Sequence, residues 1–195
     1  MGTETLKCIF LSASIPIPGR DDERYLKTAD VIAIRDAVIA LASVALPKFH
    51  LVWGGHPSIT PLIANVLEHS NISAKDNVTL YQSKQYEEIF PIENREIGHI
   101  ELTKKGKDAM ESIRIMRKQM LCDYSFVAGI FIGGMNGVED EYLMFKEYHP
   151  NALLIPVAST GAAAKIIFEK EKDKFDSKLE TDLAYFFLFK RLLRI

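Results

Sequence analysis

Four short stretches place small, polar or acidic residues directly after apolar runs. They hold Ser12 and Ser14; Gly54, Gly55, His56 and Ser58; Gly133, Gly134, Asn136 and Gly137; and Ser159, Thr160 and Gly161. Such residues leave main-chain N–H groups open at the start of a helix, where free donors and the positive dipole end attract anions. In "FIGGMNGVEDEYLMF" the glycines run straight into Glu139, Asp140 and Glu141. That stretch reads either as a phosphate cradle carrying a functional acid or as a well-capped turn. The stretch "SIRIMRKQM" supplies Arg114, Arg117 and Lys118, with Arg117 between Met116 and Met120. Arg117 either lays its stem along the core or aims a planar fork of donors at phosphate or ribose. His56 reads as a ligand contact or as a turn cap. Arg20, Arg24 and Tyr25 read as further phosphate contacts or as an exposed charged loop.

The elements that must position these residues alternate along the chain. Short apolar runs at 7–13, 49–55, 77–83, 124–134 and 151–158 predict five buried strands. Helical patterns follow at 25–46, 57–70, 103–121, 138–148, 159–172 and 177–193. Residues 84–102 fit no period and read as a long loop, either functional or mobile. Strand-helix alternation with long crossovers predicts an α/β fold: a single Rossmann-like, doubly wound parallel sheet of at least five strands with helices on both faces, filling 1–195 as one domain. In such sheets ligands sit beyond the carboxyl ends of the strands, where all four stretches fall. No G-x-G-x-x-G or Walker A pattern is present, which argues against ordinary dinucleotide-dependent dehydrogenases and P-loop NTPases.

Bulk properties narrow the classes further. With 195 residues, 48% apolar and 26% charged, the chain has the composition of a single soluble globule. A net charge of −2 without a basic stripe predicts no nucleic-acid partner. No apolar run predicts a membrane span, and "MGTETLKCIF" lacks both a secretory pattern and, because of Leu6, a myristoylation pattern. Cys8 and Cys122 lie far apart and read as reduced, mostly buried thiols of a cytoplasmic protein, and the five histidines share no ligand spacing, so no metal and no cofactor are expected.

In order, "CIFLSASIP", "HLVWGGHPSITPLIANVLEH", "NVTLYQS", "MRKQMLCDYSFVAGIFIGGMNGVEDEYLMF" and "LLIPVASTG" resemble the SLOG superfamily over roughly 7–170. That superfamily includes the LOG cytokinin-activating phosphoribohydrolases and the sensing domain of Thoeris anti-phage effectors, which binds a cyclic ADP-ribose-type signal. The LOG pattern is R-K-x-x-M followed by P-G-G-x-G-T-x-x-E. Arg117, Lys118 and Met120 match its first half, and Gly133 and Gly134 its paired glycines. If Asn136 is an inserted residue, Gly137 matches the third glycine and Glu141 the catalytic glutamate; without the insertion Asp140 takes that position. Ile132 replaces the proline, Val138 replaces the threonine that meets phosphate, and "GGHPSITPLI" lacks the G-G-G-x-x-G-L-M form. These departures resemble the sensing branches more than the hydrolases.

The resemblance implies a module that binds a nucleotide or NAD-derived, ADP-ribose-like ligand, with residues 84–102 ordering over it and a possible effector protein reading occupancy. The alternative is an N-glycosidic hydrolase with Arg117 and Glu141 as catalytic residues. A scaffold with a vestigial site is a third reading. The terminal "LAYFFLFKRLL" reads as a last core helix or as the interface of a homodimer or higher homo-oligomer, which the family also favours.

Overall fold

The computed structural model describes residues 6–70 and 77–195. The reading of the extreme N-terminus therefore rests largely on residues 1–5, outside the described part. Six strands, β1 (Lys7–Ser14), β2 (Phe49–Trp53), β3 (Val78–Ser83), β4 (Ile100–Thr103), β5 (Phe126–Gly133) and β6 (Leu153–Val157), form one sheet in the order β4-β3-β2-β1-β5-β6. Every pairing is parallel. This is the α/β Rossmann-like arrangement that the alternation predicts.

Side-chain alternation builds the two layers. Ile9 and Leu11 of β1, Leu51 and Trp53 of β2, and Ile130 and Ile132 of β5 face one core. That core is closed by helices α2 (Val31–Ala45), α3 (Thr60–His69) and α8 (Tyr185–Leu193). Phe10, Val52, Tyr81 and Phe131 point the other way. They meet α4 (Ala109–Cys122), α5 (Asn136–Tyr148) and α6 (Ala162–Lys170) through Met116, Met120, Phe145 and Ile167. Phe10 stacks on Phe145 with ring centroids 5.4 Å apart. Apolar residues of opposite parity thus serve opposite faces, which is what a period of two requires.

From β1 the chain winds outward through β2 and β3 to β4, then returns over the sheet through α4 to enter β5 beside β1. The winding direction therefore reverses between β1 and β5, and a crevice opens at their carboxyl ends. The register pairs Ser14 with Gly133, so both strands end at one level.

The expected elements differ from the observed ones at their breaks. The expected loop 84–102 consists of two 3₁₀ segments, Lys84–Ile89 and Ile92–Glu96, and the start of edge strand β4. Four residues at an edge, with Ile100 and Glu101 half-buried and Leu102 exposed, leave no apolar run to detect. The expected helix 25–46 divides into α1 (Glu23–Leu26) and α2, because the Asp30 carboxylate accepts from the Ala33 N–H and starts a new helix. Asp108 likewise caps α4, delaying a helix expected from 103. The terminal helix is split into α7 (Lys178–Thr181) and α8 where Asp182 accepts from the Ala184 N–H. Among the described residues no helix is long and apolar enough to cross a membrane.

Candidate functional site

The crevice between β1 and β5 holds a cavity of about 230 Å³. Ser12, Ser14, Gly54, His56, Arg117, Asn136, Gly137 and Glu141 line it. Side chains at positions 10, 12 and 14 of β1 share a face, so the run that buries Phe10 carries Ser12 and Ser14 beneath the start of α5. Both serines are almost wholly buried.

Glu141 is the centre of the polar network. It lies in the second turn of α5 on the face turned toward β1 and α4. Ser12 Oγ donates to its Oε2 at 2.6 Å, and Arg117 Nε donates to its Oε1 at 3.0 Å. Arg117 Nη1 donates to Asp140 Oδ2 at 3.1 Å. The arginine reaches across from α4 with its side chain 18% exposed, against 13% for Glu141 and 54% for Asp140. Its Nη2 has no acceptor among the described residues and lies under Gly137, where an added Cβ would stand 2.7 Å from it. One guanidinium therefore holds two carboxylates with two of its nitrogens and leaves the third open beside a helix start. That start has no side-chain cap, because Met135 occupies the N-cap position. An anion here meets main-chain donors, the helix dipole and Nη2 together.

Glu139 points elsewhere. Tyr25 Oη donates to its Oε1 at 2.9 Å and Lys170 Nζ to its Oε2 at 3.0 Å, tying α5 to α1 and α6. Burial pushes the Glu139 carboxyl up, but the bonds from Lys170 and Tyr25 and the Arg24 charge outweigh it and hold it below its ordinary range. Asp140 serves the Arg117 clamp and Glu139 the packing of helices, so the three consecutive acids have three different roles.

His56 also lines the cavity, but as a turn residue. Its Nδ1 accepts from the Ser58 N–H at 3.2 Å and is 2.8 Å from Ser58 Oγ, which in turn accepts from the Ile15 N–H at 3.3 Å. Burial lowers the His56 pKa, Arg20 lowers it further and Asp21 opposes them. A neutral imidazole that spends Nδ1 on its own turn is no phosphate cation. Arg20 is engaged with Asp21 at 2.9 Å.

Several expected site residues are structural neighbours and do not line the cavity. Gly133 and Gly134 make the β5–α5 turn with φ of +54° and +90°, and the Gly134 N–H donates to the Ser14 carbonyl at 2.8 Å. The segment 159–161 lies behind them. Thr160 Oγ1 accepts from the Gly133 N–H at 2.8 Å, and Ser159 Oγ turns to the Asp182 carbonyl and the Tyr185 hydroxyl. Gly161 packs against the Thr28 carbonyl. These residues shape the rim from outside. Gly55 and Ser58 also stand off this cavity, Gly55 facing a neighbouring one.

Sequence reasoning missed the apolar wall: Ile59, Ile113, Met116 and Met135 line the cavity beside the polar residues. An apolar residue on an amphipathic helix gives the same signal whether it faces core or cavity. Among the described residues no group of three or more His, Cys, Asp or Glu side chains is arranged to hold a metal ion.

Comparison with known families decides the affiliation. The model of the SLOG cluster3 family matches residues 24–193, which includes α4, the Gly-Gly turn and α5. The chain belongs to the SLOG cluster3 family. No curated protein matches it. The SLOG affiliation agrees with the resemblance carried by Arg117, Gly133, Gly134 and Glu141, and points to a nucleotide-related role, as a binding module or as a LOG-like protein.

Proposed function

We propose that this chain binds a nucleotide or NAD-derived, ADP-ribose-like ligand at the carboxyl edge of its sheet. Phosphate oxygens lie against the uncapped start of α5 and Arg117 Nη2, and Glu141 accepts from a ribose hydroxyl. The observation that carries the reading is the Arg117–Glu141–Ser12 clamp, which fixes one carboxylate on both oxygens while leaving one guanidinium nitrogen free beside Gly137. A preformed acceptor next to a preformed anion cradle is the polarity of a sugar phosphate. Occupancy is passed to an effector protein or to a second copy of the chain. Calorimetry with ADP-ribose, cyclic ADP-ribose isomers, NAD and nucleoside monophosphates tests this; no heat from any of them at millimolar ligand ends it.

A second reading has a specific observation in its favour. Breaking an N-glycosidic bond builds oxocarbenium charge on the ribose, and a fixed carboxylate stabilises that charge and activates water. Glu141 is held as rigidly as such a role needs. Incubation with AMP followed by chromatography for free adenine decides between binding alone and hydrolysis. Adenine release undiminished in Glu141→Gln excludes Glu141 as the reacting carboxylate.

A further inference from the structure

A second cavity of about 380 Å³ adjoins the first and shares Gly54, His56, Ile113 and Met116 with it. It lies over the ends of β2 and β3 and is closed by the 3₁₀ segment that follows β3. Its chemistry differs from that of the first. Tyr86, Ile89, Phe90 and Pro91 make an apolar wall with two planar rings, and Gln82 and Ser83 make a polar floor. Gln82 is 4% exposed and Ser83 2%.

The floor is built rather than accidental. Asn94 Nδ2 donates to Gln82 Oε1 at 2.6 Å, which fixes the amide so that Nε2 is its remaining polar end. Nε2 has no partner among the described residues. Gly55, with φ of +52°, brings the main chain directly over this side chain: an added Cβ would stand 2.7 Å from Gln82 Cγ and 2.9 Å from Nε2. Nε2 is not sealed off from solvent, the one buried side-chain polar atom without a partner among the described residues being Asn94 Oδ1; held in place by Asn94, it keeps its hydrogens for an acceptor that enters the lobe. Beside two aromatic rings, that acceptor belongs to a flat, apolar-faced group with ring nitrogens or carbonyls at its edge.

We propose that this second lobe takes the nucleobase of the ligand, with Gln82 Nε2 donating to an acceptor on the base edge and Tyr86 and Phe90 covering its faces. The assignment rests on the sugar-phosphate reading of the first lobe and deepens it. The neck at Ile113 and Met116 is where ribose passes into base. The first lobe alone, at about 230 Å³, is smaller than ordinary ligand pockets of about 300–1,000 Å³, and the adjoining second lobe supplies the room that it lacks. Stacking on an aromatic side chain tightens binding by roughly 5- to 150-fold per base.

The test compares ribose 5-phosphate with AMP by calorimetry on the full chain, in wild type, Tyr86→Ala, Phe90→Ala and Gln82→Glu, with thermal melts to verify folding. In wild type AMP binds at least tenfold more tightly than ribose 5-phosphate. Each alanine variant loses most of that advantage while its ribose 5-phosphate affinity stays within twofold. Gln82→Glu, which replaces the donor by an acceptor, also weakens AMP selectively. Equal affinities in wild type, or an advantage that survives in both alanine variants, overturn the base assignment and leave the sugar-phosphate reading standing. If neither compound binds wild type, both readings fall.

Discussion

Gly137→Ala separates the site from the fold more cleanly than any change to a charged residue. Gly137 is the second residue of α5, and the methyl group would stand 2.7 Å from Arg117 Nη2 and meet no other side chain within 3.4 Å. That distance is where an acceptor oxygen sits on a guanidinium nitrogen. The methyl therefore fills the position proposed for a phosphate oxygen and pushes the guanidinium back. Reaching an ordinary contact of 3.4 Å means a retreat of at least 0.7 Å (3.4 less 2.7), the far end of a flexible side chain being the part that yields. One charge-assisted hydrogen bond is lost, about 1.5–3 kcal/mol, or roughly a 10- to 150-fold weaker dissociation constant. Stability moves the other way or stays level, since alanine is favoured over glycine in a helix by up to about 1 kcal/mol. Calorimetry with ADP-ribose and a urea melt on the same preparation read both quantities. A variant that binds as wild type does refutes the placement of the anion beside Nη2. A variant that unfolds easily refutes the view that Gly137 is present for the ligand and not for the chain.

Gly161→Ala is expected to behave in the opposite way. At φ +73°, with its Cβ 1.7 Å from the Thr28 carbonyl, it lowers stability by about 2–4 kcal/mol in denaturant melts. A melt equal to wild type removes Gly161 from the packing that supports the rim. Glu171 accepts from Lys146, Lys174 and Tyr142, whose bonds hold its pKa down to about 2 from an ordinary 4.5. Because the folded value is depressed, its contribution is complete above the unfolded value and fades as pH falls from about 4.5 to 2. Glu171→Gln therefore gives a shallower acid limb of stability against pH, and an unchanged limb contradicts the network. Leu183, Phe186 and Phe187 are exposed beside a buried Leu188 and Phe189. If that face meets a second copy, sedimentation at micromolar concentration shows a dimer that Phe187→Asp dissociates; a wild-type monomer removes the interface.

The strand-helix frame was legible because β1 and β5 are long, buried apolar runs ending in small residues. The breaks were not legible. Asp30, Asp108 and Asp182 start or divide helices by accepting one N–H each, and in a sequence they look like any surface aspartate. Strand β4 was hidden by shortness and half-exposure at the sheet edge. At the site, Ser12, Gly54, Arg117 and Glu141 were visible from strand ends and the motif pair. Gln82 was not, because nothing in "YQS" distinguishes a cavity floor from the end of a strand. Ser159 and Thr160 look like ligand donors in sequence because their hydroxyls are equally suited to bonding main chain, which is what they do.

The guanidinium at the crevice is mounted on the helix that returns over the sheet from its far edge, and that mounting makes α4 a lever. Arg117 sits nine residues beyond the Asp108 cap, about 13 Å along the axis at 1.5 Å per residue, so a tilt of about 5° at the capped end swings it by about 1 Å. An ångström is the difference between grasping Glu141 and releasing it. A tilt imposed at the capped end would therefore reach the crevice enlarged by the length of that arm.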